Sequence, residues 1–186
     1  YYYKEVGSSC VGYTNEGKIR DCTSNSTVQG DKVIGGILGK SKDKTIIQNC
    51  TFTGVARSEE TCAGICSIHK GIIEGCTNTG IITSKDIGGG IVGISKYGPV
   101  KNCKNTSLVN CRNIAGGIVG RTRESSSFQT IILKSLSSGT IKSQRAGGIL
   151  GRNRQTLHLK NCYMTGNVLS KELKQPIVAE LTEYED

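Results

Sequence analysis

A short phrase built on glycine and isoleucine recurs along the chain, and it limits the possible folds more than any other feature of the sequence. It reads GGILG at 35–39, GGGIVG at 88–93, AGGIVG at 115–120 and AGGILG at 146–151, with AGICS at 63–67 as a variant. A glycine loop that cradles a nucleotide phosphate occurs once and leads into a helix. Five copies within 186 residues instead indicate a structural repeat.

One small residue marks each repeat unit. The marker is Cys22, Cys50, Cys76, Cys103 and Cys162, with Ser135 in the same position of one further unit. Successive markers lie 28, 26, 27, 32 and 27 residues apart. An aliphatic residue precedes every marker by three positions, and an isoleucine belongs to the glycine phrase or its equivalent in all six units: Ile37, Ile65, Ile91, Ile118, Ile149 and Ile177. The period is therefore about 27 residues.

A unit of this length cannot bury its own apolar face, but stacked copies share one continuous core. The runs between turn residues, such as TIIQNC and GGIVG, are short and β-branched, with no helical periodicity. We therefore expect an all-β fold, a parallel β-helix or solenoid of about six to seven coils with roughly 27 residues per coil. Residues 1–186 form one domain in this interpretation, with an N-terminal flank at 1–8 and an acidic tail at 180–186.

The chain resembles the GLUG repeat over residues 9 to about 179. The resemblance rests on G-[IL]-[LV]-G phrases that follow N-C-x-x-x-G-x-[IV] segments. That repeat occurs in large secreted and surface proteins, mostly bacterial, including some IgA-specific metallopeptidases. The resemblance implies a β-solenoid that serves as a stalk, spacer or adhesive surface. Ser67 in AGICS and the final QPIVAE depart from the repeat pattern.

The repeat places its five marker cysteines in one column, spaced by a coil rise of about 4.8 Å. We expect them to be buried and reduced, because free cysteine packs as a small apolar side chain and neighbours in a parallel ladder have poor disulfide geometry. The other four, Cys10, Cys62, Cys66 and Cys111, fall at different repeat positions. Cys62 and Cys66 have the spacing of half a metal site, but no second half accompanies them.

Positive charge concentrates in one region of a chain whose net charge is +9. Residues 121–160 carry eight lysines and arginines against the single acid Glu124. The longest marker step falls here, and we expect its extra residues, 121–130, to leave the coil as a loop. Insertions of this kind often contact a partner. A solvated loop is the simpler alternative. The candidate site for an anionic partner is Arg121, Arg123, Arg145, Arg152 and Arg154.

No catalytic, metal or cofactor site is predicted. The histidines His69 and His158 lie at unrelated repeat positions, and the His-Glu-x-x-His motif of zinc peptidases does not occur. Acid–base hydrolysis needs paired carboxylates, whereas four aspartates fall at scattered phases of the repeat: Asp21, Asp31, Asp43 and Asp86. Phe128 is the lone aromatic of the basic region, so specific nucleic-acid recognition is not expected. No apolar run reaches the length of a membrane span.

Different features of the sequence favour different cellular compartments. Three sequons, at Asn25, Asn49 and Asn105, and the GLUG resemblance favour a secreted or cell-surface location. Nine cysteines, an odd number, favour a reducing compartment. Asn49 also belongs to a repeated Asn-Cys pair, where a corner hydrogen bond is the simpler role.

A non-catalytic structural or adhesive module is the predicted function, with other protein subunits or surface glycans as partners. The alternative is a subunit of a filament or intracellular assembly, joined head to tail, with Tyr1, Tyr2 and Tyr3 as candidate end contacts. A β-helix enzyme that acts on polysaccharide is a third possibility.

Overall fold

The computed structural model describes residues 6–14, 16–123, 128–175 and 177–181. These residues contain 29 strands and no helix. The chain winds through about six turns. The first three turns contain β1 (Val6–Ser8), β2 (Val11–Thr14), β3 (Gly17–Arg20), β4 (Thr23–Ser24), β5 (Thr27–Gly30), β6 (Val33–Gly35), β7 (Leu38–Ser41), β8 (Thr45–Gln48), β9 (Thr51–Phe52), β10 (Val55–Ser58), β11 (Thr61–Ala63), β12 (Cys66–Lys70), β13 (Ile72–Glu74), β14 (Thr77–Asn78) and β15 (Ile81–Ser84).

The remaining turns include three strands of eight residues or more, which pass around corners without a break. They contain β16 (Ile87–Gly89), β17 (Val92–Lys101), β18 (Lys104–Asn105), β19 (Val109–Cys111), β20 (Ile114–Gly116), β21 (Val119–Thr122), β22 (Gln129–Leu133), β23 (Leu136–Ser137), β24 (Thr140–Gly147), β25 (Leu150–Asn153), β26 (Thr156–Lys160), β27 (Tyr163–Met164), β28 (Asn167–Gln175) and β29 (Val178–Leu181).

Each strand pairs with its equivalent one turn away, and the pairs are parallel throughout the described chain. The strands form sheets of 11, 12 and 6 members along the stack. Residues at the same position of the repeat pair with one another: Cys66 of β12 pairs with Leu38 of β7 and with Val92 of β17. The predicted parallel β-solenoid is confirmed.

Isoleucines of the repeated phrase form the centre of the core. Five of them are completely buried: Ile37, Ile65, Ile91, Ile118 and Ile149. Ile177 was expected in the same column but is 38% exposed, because the described chain stacks no further turn over it.

The glycine before each isoleucine allows two turns to approach closely. A Cβ atom placed on Gly90 would lie 2.0 Å from the carbonyl oxygen of Gly117, and one on Gly117 would lie 2.0 Å from that of Gly148. Neither residue has a positive φ angle. These positions therefore need glycine for backbone contact between turns, and not for an unusual backbone conformation.

The left-handed corners lie elsewhere, at the residue before each marker. φ there is between 48° and 65° at Asp21, Asn49, Gly75, Asn102, Lys134 and Asn161. Aspartate, asparagine and glycine tolerate this region best. The Nδ2 of Asn49 donates to Asp21 Oδ1 at 3.2 Å, as expected for the Asn-Cys corner.

The marker residue closes the same corner with a hydrogen bond. The Cys50 thiol donates to the carbonyl of Gln48 at 3.2 Å, and the Cys103 thiol donates to that of Lys101 at 3.2 Å. The Ser135 hydroxyl does the same to Leu133 at 2.9 Å. Serine substitutes for cysteine here because both are small donors.

Three predicted boundaries need correction, because strand pairing extends further than the sequence suggested. Val6–Ser8 is not a flank, since it pairs with Val33–Gly35. In the acidic tail, Glu180 and Leu181 belong to β29, and residues 182–186 lie outside the described residues. The insertion is shorter than 121–130, because β21 ends at Thr122 and β22 begins at Gln129; of the residues between them, 124–127 lie outside the description.

The cysteine column is buried only in its centre. Cys50, Cys76 and Cys103 are at most 2% exposed, whereas Cys22 and Cys162, near its two ends, are half-buried, contrary to the expectation of uniform burial. All nine cysteines are free thiols. A hydrogen bond with Cys103 is the largest cause that raises the pKa of Cys76 to about 12.

Replacement of Gly90 by alanine should destabilise the fold by about 1–3 kcal/mol or more, because the added methyl group overlaps the Gly117 carbonyl. Gly12→Ala is the matched control, since its Cβ would lie 3.9 Å from the nearest atom, an ordinary contact. Urea denaturation of both variants measures the difference. Equal stability of the two variants would show that the turns do not approach as closely as described.

Alkylation of the native protein should be fastest at Cys10, which is exposed, and intermediate at Cys22 and Cys162. Cys50, Cys76 and Cys103 should react at least an order of magnitude more slowly, since burial of all three thiols hinders access of the reagent. Mass spectrometry of the labelled peptides gives the order. A Cys76 rate equal to that of Cys10 would contradict the buried column.

Candidate functional site

Four of the five predicted arginines come together on neighbouring turns. Arg121 of β21 pairs with Arg152 of β25. Arg123 and Arg154 follow these strands; the Arg123 amide donates to Ser95 O at 2.8 Å, and the Arg154 amide donates to Thr122 Oγ1 at 2.6 Å. The stacking of the turns thus converts four arginines that are spread over 34 residues of sequence into one cluster.

Lys96 of β17 joins this cluster, although the sequence did not single it out. Burial is the largest cause that lowers the pKa of Lys96 to about 8; the charges of Arg123, Lys40 and Lys70 contribute to this shift, and Asp43 opposes it. Burial also lowers the pKa of Arg121; Asp86 opposes this shift, and the other three arginines add to it. We call Lys96, Arg121, Arg123, Arg152 and Arg154 the basic face. Its cations repel one another, so a bound anion would relieve an electrostatic cost.

An aromatic pair borders the basic face. Phe128 is 48% exposed and stacks on Tyr97, with ring centroids 4.8 Å apart and an interplanar angle of 24°. Lys70 Nζ lies 5.2 Å from the Tyr97 centroid and 3.2 Å from Asp43 Oδ1, and the Tyr97 hydroxyl also bonds to Asp43. Stacking of the turns thus brings a second aromatic ring, from outside residues 121–160, next to Phe128. This network joins Phe128 to β17 and, through Lys70, to β12.

Arg145 occupies a different strand from the other four arginines. It lies in β24, where it pairs with Ile114 of β20. Its Nη2 is 3.3 Å from Glu172 Oε2. Part of its charge is thus already compensated, and we do not include it in the basic face.

The sequons occupy unlike environments. Asn25 and Asn49 are exposed. Asn105 is fully buried, accepts a hydrogen bond from Asn78 Nδ2 at 2.8 Å and donates to Ser107 O at 3.3 Å. In the folded chain Asn105 cannot accept a glycan, because its side chain belongs to an internal amide ladder. The candidate end contacts Tyr1, Tyr2 and Tyr3 lie outside the described residues.

A column of polar side chains lies buried beneath the lysines and arginines of this side. His69 pairs with Ser95, and Ser95 pairs with Thr122. Thr122 Oγ1 donates to Asn153 Oδ1 at 3.2 Å. His69 has no exposed surface, and this burial lowers its pKa to about 3. The imidazole is therefore neutral in the folded protein at ordinary pH.

Several other side chains that could react or bind a metal are buried or form ion pairs. Cys62 and Cys66 lie on separate strands, and burial raises the pKa of the Cys66 thiol to about 12. Within the described ranges, no three histidine, cysteine or acidic side chains converge on a possible metal position. Several acids pair with lysines of an adjacent turn: Glu74 lies 3.1 Å from Lys101, and the Lys101 bond is the main cause that lowers the pKa of Glu74.

Among the described residues, no helix is long and apolar enough to cross a membrane. No protein-family model matches the sequence. A search of curated proteins likewise finds no match.

One solved structure resembles the chain, the crystal structure of a protein described as a "putative immunoglobulin A1 protease" from Bacteroides ovatus. The TM-score is 0.56 and the sequence identity is 17%. The match covers 94% of this chain and 62% of the Bacteroides chain. At this identity the likeness shows a shared solenoid fold. Membership of the GLUG-repeat family stays a prediction.

His69 predicts a specific dependence of stability on pH. In the unfolded chain its pKa is near 6.5, so below this pH the unfolded state binds a proton that the folded state does not. The folded protein should therefore lose up to about 3 kcal/mol of stability through this residue between pH 6.5 and 4. His69→Gln should show a smaller loss over this range, measured by urea denaturation at each pH.

His158→Gln is the matched control, since His158 is exposed. It should retain the dependence of the parent. The prediction is wrong if His69→Gln and the parent lose equal stability between pH 6.5 and 4.

Proposed function

We propose that this chain is a non-catalytic solenoid module that binds an anionic partner, such as an acidic surface glycan, through its basic face. The observation that carries the proposal is the placement of Arg121 and Arg152 on paired strands, with Lys96 close to Arg123; burial and cationic neighbours disfavour the charged form of Lys96. A rigid stack of turns keeps these charges at fixed spacing without a bound ligand. This reduces the entropic cost of binding.

A structural role is also supported by how the carboxylates are used. The salt bridges pair acids with bases of neighbouring turns, as for Asp43 with Lys70 and Glu74 with Lys101. A polysaccharide hydrolase needs two carboxyl groups that face one substrate. The resemblance in fold to the Bacteroides protein fits a repeat module of a larger secreted or surface protein, and we propose that setting for this chain.

A subunit role in a filament or intracellular assembly remains the alternative proposal. Large apolar side chains on the last described turns favour it: Tyr163 is 64% exposed and Ile177 is 38% exposed. Sedimentation of the protein over a wide concentration range distinguishes the two roles. Self-association would favour the assembly.

Arg121→Glu/Arg123→Glu should weaken binding to immobilised heparin at least tenfold at low salt, because it reverses two charges of the basic face. Raising the salt concentration should weaken binding of the parent protein as well. Lys18→Glu/Arg20→Glu is the control, since it makes the same change in net charge at two exposed residues of β3.

The control should bind nearly as well as the parent once the circular dichroism spectra confirm that both variants fold. If the two double variants lose affinity equally, binding follows net charge alone. The basic face would then not be a site.

A further inference from the structure

A recess lies at a corner where one turn of the solenoid is one residue shorter than its neighbours. Two residues connect Ser84 to Ile87, and two connect Cys111 to Ile114, at the same corner of successive turns. In the next turn only Gln144 separates Ser143 from Arg145, whereas Lys171 and Glu172 separate Ser170 from Leu173 in the turn after it. The register shifts at this point between β24 and β28.

The shortened corner is held in place by the backbone. The Gln144 amide donates to Arg112 O at 2.9 Å, and the Arg145 amide donates to Asn113 O at 2.9 Å. On the other side, the Ser170 hydroxyl donates to the Gln144 carbonyl. The short corner lies between two longer ones, and residues of all three turns line a cavity of about 550 Å³.

Three cations surround this cavity: Arg112, Lys142 and Lys171. All three side chains are exposed, and within the described chain no acid lies within ion-pair distance of them. One turn earlier, at the same corner, Lys85 pairs with Glu59. Arg145 pairs with Glu172 at the same corner. The three cations around the cavity therefore lie between ion-paired residues without an ion pair of their own among the described residues.

Amide and apolar groups complete the lining. Asn110 and Gln144 are half-buried, and Leu169 is 49% exposed although it is a large apolar residue. The described lining contains no aromatic side chain for stacking a nucleic-acid base.

We propose that this recess binds one acidic sugar unit of a carboxylated saccharide. Its volume lies in the range of small-molecule sites. Arg112 presents the planar donor geometry that suits a carboxylate, and the amides of Asn110 and Gln144 can bond to sugar hydroxyls. Leu169 offers an apolar surface to the C–H face of the ring. A simple inorganic anion would use the cations but neither the amides nor Leu169.

The recess shares no residue with the basic face. The proposal therefore stands or fails separately from the proposed function. Both sites would favour acidic glycans, but heparin binding depends on Arg121 and Arg123, and sugar binding in the recess depends on Arg112.

Titration calorimetry of the parent protein with galacturonate, glucuronate and N-acetylneuraminate at fixed low salt tests the proposal. At least one of these should bind at least tenfold more tightly than galactose and than inorganic sulfate. Arg112→Gln should weaken that binding at least tenfold, whereas Arg57→Gln, an exposed arginine of β10, should leave it unchanged.

A second variant tests the origin of the cavity. Insertion of one asparagine after Gln144 restores the two-residue corner while retaining all three cations, and it should abolish binding of the sugar but leave heparin binding intact. The proposal is overturned if none of the three acidic sugars binds, if sulfate binds as tightly as the best of them, or if Arg112→Gln binds as the parent does.

Discussion

Close contact between the backbones of successive turns is the constraint on which the rest of this structure depends. At Gly90 and Gly117 the chain lies so near the next turn that a single methyl group would overlap a carbonyl oxygen. The contact lets the neighbouring isoleucines stack in one dry column, which supplies the apolar burial that a 27-residue unit lacks alone. The left-handed corners before each marker keep every turn in phase with this column.

The same stacking determines how the surface can be used. Residues of equal phase meet as neighbours, so arginines a full turn apart in sequence, Arg121 and Arg152, adjoin in space. Where the period is regular, acids and bases of neighbouring turns tend to form ion pairs, as Lys85 does with Glu59. The two proposed sites lie at departures from the period. The insertion after Thr122 lies beside the basic face, and the missing residue at Gln144 opens the recess.

Buried polar groups show a second consequence of the repeat. The marker thiol is interchangeable with a hydroxyl, because its role is to bond the carbonyl two residues earlier. His69 is less easily accommodated, since its column otherwise consists of small or amide side chains such as Ser95 and Asn153. Burial lowers the pKa of His69, so its imidazole ring is neutral in the core.

The sequence by itself determined the class of fold, the period, the isoleucine column and the Asn-Cys corners, because each depends on a pattern that recurs every turn. The concentration of positive charge singled out five arginines, of which the structure brings four together and places Arg145 on a different strand. Only the tertiary structure placed Lys96, Tyr97 and Phe128 at one corner, since a register shift at Lys70 and an insertion change their phase. It also separated buried Asn105 from exposed Asn25, because burial depends on which side of a strand faces the core. The recess at Gln144 could not be predicted from the sequence either, because a missing residue leaves no motif. The effect of the missing residue arises only when three turns are stacked.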